Sequence, residues 1–359
     1  MTHVIRLAKS RDLPALEALA EAQAAERVRR DPRLTASPHA IPFPSSSGFI
    51  KGLLAPKASA DGLSLGRYAT FAAEEGGVIT GAIALYHAEQ RESDIFASYY
   101  PRSFTSIGLF AGAPATWPDL LARAEDQAVR WGTPSLLVHI PTRDEAMREA
   151  ARAFGFRPYY AYTLRQAQGE PLRRPPVPPY TPSVGATLAV APPVAPNTPA
   201  VRVRRAGPRD VDGAVRIGMQ SMAYHAALEP TLQIALGEAA RMKRTFEKAA
   251  ADGRESTLLV AEDAGAVVGF FSLYVQTIND DWAQPLFATG RYGLIAEAAV
   301  DERRRGQGIG HLLFAAADEW FRARRIANYW LIYLQHNPLS SKFWSGLGFE
   351  TVWEARLKG

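Results

Sequence analysis

The chain has 359 residues, a length that favours two domains, each large enough to bury a core of its own. Hydrophobic residues make up 47% and charged residues 21%, the balance of a soluble globular protein, and no run approaches the ~18 apolar residues of a membrane helix. There is no cysteine, which excludes disulfides, thiolate metal sites and a cysteine nucleophile; the net charge of +5 comes from interspersed residues and not from a basic patch.

The first six residues lead into a mixed amphipathic segment and not into the apolar core of a signal peptide, so a cytoplasmic location is expected. Residues 4–7 read as a strand. Asp12 then supplies an N-cap, Pro14 sits in the first turn, and Leu13, Leu16 and Ala20 mark a helix. Residues 30–64 are irregular and rich in proline and serine, which suits a cover over a groove. Residues 68–74 and 78–88 predict a hairpin around Glu75-Gly76-Gly77. A strand at 106–111, a helix at 117–131, a strand at 136–140 and a helix at 143–154 follow, and a strand at 159–164 closes this half. Residues 168–200 are dense in proline, which cannot supply ladder donors, so they read as an extended linker.

What comes after the linker repeats what came before it. Residues 201–204 are a strand, and Arg209-Asp210-Val211 opens a helix as Arg11-Asp12-Leu13 does. FAAEEGGVITGAIALY (71–86) aligns without a gap on LVAEDAGAVVGFFSLY (259–274), with Ala73/Ala261, Glu74/Glu262, Gly77/Gly265, Gly81/Gly269, Leu85/Leu273 and Tyr86/Tyr274 identical. Phe154-Gly155-Phe156 mirrors Leu347-Gly348-Phe349. A period of roughly 190 residues is far too long for a solenoid unit, so this is a duplicated domain. The expected division is 1–167, a linker at 168–200, and 201–359.

The two halves differ most at residues 300–313. An apolar strand at 292–300 runs into Arg303-Arg304-Arg305-Gly306-Gln307-Gly308-Ile309-Gly310-His311, and an amphipathic helix follows. Alternate glycines admit a ligand to the backbone, and a helix N-terminus presents unpaired N–H groups, which together make an anion cradle. Both dinucleotide registers fail, because His311 or Leu313 falls where the third glycine must stand, and a P-loop fails because Gly310 is not followed by Lys-Ser/Thr. Arg305, Gly308 and Gly310 do satisfy Arg/Gln-x-x-Gly-x-Gly/Ala. With the second strand at 329–334, Asn337 and Leu347-Gly348-Phe349 in sequence behind it, this stretch resembles the coenzyme A pyrophosphate loop of the GNAT superfamily of N-acetyltransferases.

The resemblance implies an α/β fold of two GNAT-like domains, each a mixed, mostly antiparallel twisted sheet flanked by helices. It implies acetyl-CoA as cofactor and direct acetyl transfer to a primary amine of a small molecule or peptide. Ala298, Ala299 and Val300 would bond the pantetheine through their backbone. Arg305, Gly306, Gln307, Gly308, Ile309, Gly310 and His311 would wrap the pyrophosphate. Asn337 and Ser340 match positions beside the pantetheine arm, although Asn337 before Pro338 reads equally as a helix cap. Glu297, a carboxylate inside an apolar strand, is the candidate base, with the raised pKa that apolar neighbours would give it. Trp344 stands where a proton-donating tyrosine is usual; either another group substitutes, Tyr333 and His336 being nearest in sequence, or solvent supplies the proton. Acceptor recognition would fall to helices at 211–227 and 232–250 and to a loop at 276–291 holding Asp280, Asp281 and Trp282.

In the first half Ala113, Thr116 and Pro118 replace Arg305, Gly308 and Gly310, so one acyl-CoA site per chain is expected, in the second half. The layout resembles that of the mycothiol synthases, but no residue specifies a thiol-sugar acceptor. The competing reading is a non-catalytic acetyl-CoA-binding or scaffold protein. No membrane partner is expected, nucleic acid is unsupported, and a homodimer stays an open alternative.

Overall fold

The computed structural model describes residues 3–35, 67–89, 101–133, 135–166, 201–278 and 286–359. The proline-rich segment, most of 30–64, and Asp280, Asp281 and Trp282 lie outside these residues. The first half contains β1 (Val4–Leu7), α1 (Leu13–Arg30), β2 (Tyr68–Glu75), β3 (Val78–Glu89), β4 (Ser103–Gly112), α2 (Trp117–Trp131), β5 (Leu136–Pro141), α3 (Glu145–Ala153) and β6 (Arg157–Gln166). The second contains β7 (Arg202–Arg205), α4 (Val211–Leu228), α5 (Glu238–Asp252), β8 (Ser256–Asp263), β9 (Ala266–Ile278), β10 (Gly290–Val300), α6 (Ile309–Arg322), β11 (Asn328–Leu334), α7 (Pro338–Gly346) and β12 (Glu350–Lys358). No helix among the described residues is long and apolar enough to cross a membrane.

The duplication extends to individual side chains. Arg6 forks onto Asp12 (2.6 and 2.9 Å) and reaches Glu74, and Asp12 also accepts the Lys9 N–H at 2.7 Å. Arg204 forks onto Asp210 (2.7 and 2.8 Å) and reaches Glu262, and Asp210 accepts the Gly207 N–H at 2.7 Å. A bulge interrupts β2–β3 at Ala73/Glu74 and β8–β9 at the matching Ala261/Glu262. Asp12 therefore stands at the N-cap of α1 without capping it, because the arginine and the preceding turn take its oxygens. The second acceptor-side helix begins at Glu238 and not at 232. Leu232 N–H closes a turn on Glu229 O, and Gly237 is left-handed (φ +83°), which breaks the periodicity there.

The strands among the described residues belong to one twelve-stranded sheet of order β1-β2-β3-β4-β5-β12-β6-β11-β10-β9-β8-β7. It is mixed and mostly antiparallel, as expected, with parallel pairing at β4–β5 and β10–β11. The last strand of each half has changed places. β6 does not pair with β5; it runs between β12 and β11, while β12 takes the place beside β5. Both strands are buried on both faces: Tyr159, Tyr160, Ala161 and Tyr162 on β6, and Val352, Trp353, Ala355 and Leu357 on β12 are at most 4% exposed. All of these but Ala161 join Trp330, Phe287 and Leu34 in one apolar cluster that spans the two halves.

Candidate active site

β10 and β11 pair at Gly293↔Tyr329 and Leu294↔Trp330 and then separate, β10 staying with β9 as far as Val300 and β11 with β6 as far as Leu334. Parting strands leave the β11-facing edge of residues 295–300, Ala298 to Val300 among them, without ladder partners from β11. A bulge in β10 between Ile295 and Glu297 lets the strand turn away.

The glycine turn lies at the end of that strand. Asp301 N–H bonds Val268 O at 2.9 Å, and its carboxylate takes Arg216 at 2.9 Å; that contact holds the carboxyl below the usual range. A short 3₁₀ turn over Glu302–Arg304 follows. Gly306 and Gly308 have φ of +77° and +78°, conformations that penalise any side chain. A Cβ at Gly306 would meet nothing within 4 Å, whereas one at Gly310 would come within 3.0 Å of the Phe343 ring. Backbone bonding stops at Arg305 N–H on Glu302 O and resumes at His311 N–H on Gly308 O. The amides of Gly306, Gln307, Gly308, Ile309 and Gly310, at the start of α6, meet no backbone acceptor among the described residues. Five such donors, with open space at Gly306, fit a pyrophosphate.

The three arginines of this stretch separate. Arg304 pairs with Asp263, Arg303 is exposed, and Arg305 lies over the Tyr224 ring, 5.1 Å from its centroid. His225, next to that tyrosine, is pushed down to about 4, first by burial and then by the charges of Arg305 and His336.

Glu297 points to the α4–α5 side of the sheet, where Arg241 of α5 reaches its Oε1 at 3.3 Å. Both residues are largely covered, at 12% and 14% side-chain exposure. Ser272 and Tyr274 of β9 lie on the same side; burial raises the Tyr274 phenol, and the charge of Glu297 adds to this. Among the surroundings of Glu297, expected to be apolar, stands this guanidinium. Neither Arg241 nor Tyr274 was legible as a site residue, although Glu238 and Arg241 at i, i+3 marked a paired helix face.

Asn337 is 2% exposed and caps α7: its Oδ1 accepts Leu339 N–H (3.1 Å) and Ser340 N–H (3.3 Å), and its Nδ2 donates to Ser340 Oγ (2.9 Å). Trp344 is a core residue, packed against Phe271, Phe343 and Phe349. Phe343, not Trp344, faces the glycine turn, edge-on to His311 at 5.3 Å. Tyr333 packs against that same apolar cluster, while His336 lies 3.6 Å from buried Glu229.

The first half reproduces the strand and helix without the turn. Residues 113–116 connect β4 to α2, four residues where 301–308 supply eight. Thr116 takes the N-cap, Pro118 lies in the first turn, and Trp117 is buried against Phe110. A Cβ on Gly81 would fall 2.3 Å from Thr116 Oγ1, so the helix start is pressed onto β3.

Parallel strands that part after two paired residues thus lead into a glycine-rich helix N-terminus. Residues 223–349 match the model of the acetyltransferase (GNAT) family. The whole chain is similar in fold to a GCN5-related N-acetyltransferase from Sphaerobacter thermophilus, with 15% identity, 99% of this chain and 95% of that one covered, and a TM-score of 0.50. It also matches a tandem GNAT protein from the clavulanic acid biosynthesis pathway (16% identity, 99% and 98% covered, TM-score 0.44). A GCN5-related N-acetyltransferase from Ralstonia eutropha covers 43% of this chain with 94% of its own, at 23% identity and a TM-score of 0.34. No curated protein sequence matches the chain.

Proposed function

We propose that the chain transfers an acetyl group from acetyl-CoA to a primary amine of a small molecule or peptide, using one cofactor site, in the second half. The observation that carries this reading is the run of unbonded amides from Gly306 to Gly310, placed at the end of a strand that has parted from its neighbour. Acetyl-CoA supplies the acetyl group as an activated thioester. Arg305, Gly306, Gln307, Gly308, Ile309, Gly310 and His311 hold the pyrophosphate, and the backbone of Ala298, Ala299 and Val300 aligns the pantetheine. Asn337 and Ser340 shape the other wall as a capped helix start. Glu297 takes the proton from the attacking amine, its Oε1 steadied by Arg241. As the new C–N bond forms, the C–S bond breaks, and the thiolate is protonated from solvent, since Trp344 is packed away in the core.

Calorimetric titration with acetyl-CoA is expected to give one site per chain, and thiol release over a panel of primary amines is expected to reveal turnover that falls steeply near neutral pH in Glu297→Gln. Binding without turnover on any amine would favour a non-catalytic acetyl-CoA-binding protein. Two equivalent sites would refute the assignment to the second half.

A further inference from the structure

Arg241 belongs to a chain of three side chains that ends on the candidate base. Its Nε bonds both carboxylate oxygens of Glu238 (3.2 and 3.1 Å), its Nη2 also contacts Glu238, and the same Nη2 reaches Glu297 Oε1 at 3.3 Å. Glu238 is buried, with a side chain 2% exposed. A buried carboxylate that grips the guanidinium fixes its plane, because the planar fork has only one orientation that serves both Glu238 oxygens. The backbone fixes its origin: Gly237 is left-handed at the N-cap of α5, Glu238 N–H bonds Ala235 O, and Arg241 N–H bonds Gly237 O at 2.9 Å.

From this geometry we infer that Arg241 is a positioning residue for Glu297, anchored by Glu238, that holds the carboxylate in one rotamer on the acceptor side of β10. The inference rests on Glu297 acting as the base and adds how it is held. The bulge after Ile295 sets Glu297 on this face, and a glutamate side chain there has three rotatable bonds. One fixed oxygen removes most of that freedom before an amine arrives. Among the described residues, Arg241 and Glu238 from α5 and Tyr274 from β9 face Glu297. Arg241 is the cation among them, and Glu238 takes part of its charge away from Glu297.

The sharing gives two perturbations of opposite sign. The probe is the side-chain carboxyl of Glu297 itself, followed by ¹³C NMR in protein labelled at glutamate and assigned from its loss in Glu297→Gln. No acceptor is needed. Arg241→Gln is expected to raise the titration midpoint by about one unit, the lower end of the effect of an adjacent opposite charge. Glu238→Gln is expected to lower it, by removing the negative charge that shares the guanidinium with Glu297, and Arg241→Lys to stay close to the wild type. Should Arg241→Gln fail to fold, the downward shift in Glu238→Gln still decides the matter. Midpoints that stay put in both variants would overturn the inference, whatever their stability. Full amine transfer by Glu297→Gln would instead refute Glu297 as base, a separate outcome that leaves the titration result standing.

Discussion

Arg157, on the last strand of the first half, closes on Glu229 of the second half with both terminal nitrogens, at 2.6 and 2.8 Å. The carboxylate is 1% exposed and the arginine 41%, so the pair is half sealed. Thr231 completes the carboxylate's shell through its N–H and hydroxyl, and these partners hold Glu229 below the usual carboxylate range despite burial that pushes the other way. Arg157→Ala would leave that carboxylate short of its cation, and about 2–3 kcal/mol of stability should be lost, less than for a fully buried pair because the arginine is partly screened. In a double-mutant cycle with Glu229→Gln, measured by urea unfolding, the two losses should fall well short of adding.

The exchange of β6 and β12 predicts how an isolated half behaves. Residues 201–359 alone would expose the edge of β11 that β6 covers, and β12 would lack both neighbours. An uncovered edge recruits another strand. Two copies can satisfy each other by trading β12 in the way the two halves trade β6 and β12. Light scattering on this fragment should find a dimer; a well-folded monomer would contradict the prediction.

Gly308→Ala should weaken acetyl-CoA binding by about tenfold or more, a loss of ~1.4 kcal/mol or above in a calorimetric titration. The residue must hold φ +78°, and on the proposed reading its amide bonds the pyrophosphate. Gly132→Ala is the control, since it has φ +76° at the C-cap of α2 with open space around it. It carries a similar backbone penalty of about 1–2 kcal/mol and should leave the affinity unchanged.

Acid should destabilise the chain in two stages. His139 and His225 are pushed down by burial to about 3 and about 4. A lowered folded pKa means that the neutral imidazole is the folded form. Its contribution is complete above about pH 6.5, where the unfolded side chain is also neutral, and is lost as the pH falls towards 4 and then 3. The carboxylates lowered by arginines, such as Asp12 at about 2, add their loss only below about pH 4. Urea midpoints measured from pH 7 to 4 should decline, and His139→Gln, which can still meet the Tyr162 hydroxyl now 3.1 Å from the imidazole, should flatten that decline.

The glycine turn and the duplication were legible because each is written in residue types at fixed spacing. A positive φ demands glycine at Gly306 and Gly308, and matching strands repeat matching residues such as Gly81 and Gly269. Pairing partners leave no comparable mark. Tyr162 on β6 would be as well buried beside β5 as it is between β12 and β11, so nothing in its alternation reports which strand lies next to it. The same limit hid Arg241 and Glu229: an arginine on a helix and a glutamate at a helix end read as solvated until the fold brings Glu297 and Arg157 to them. Asn337 was readable in both its senses, and the cap is the one with hydrogen bonds to show.

Thr116 pressed against Gly81 has a consequence for the history of the first half. Restoring arginine and glycines at Ala113, Thr116 and Pro118 would not rebuild a phosphate loop, because four residues of backbone are missing and the helix start already occupies the space. Recovery requires an insertion together with the retreat of Trp117 from its contact with Phe110. Point mutation cannot supply both, so under the proposed one-site reading the change works as a ratchet, while β5, β6 and Leu34 of the first half stay tied to the packing they share with its twin.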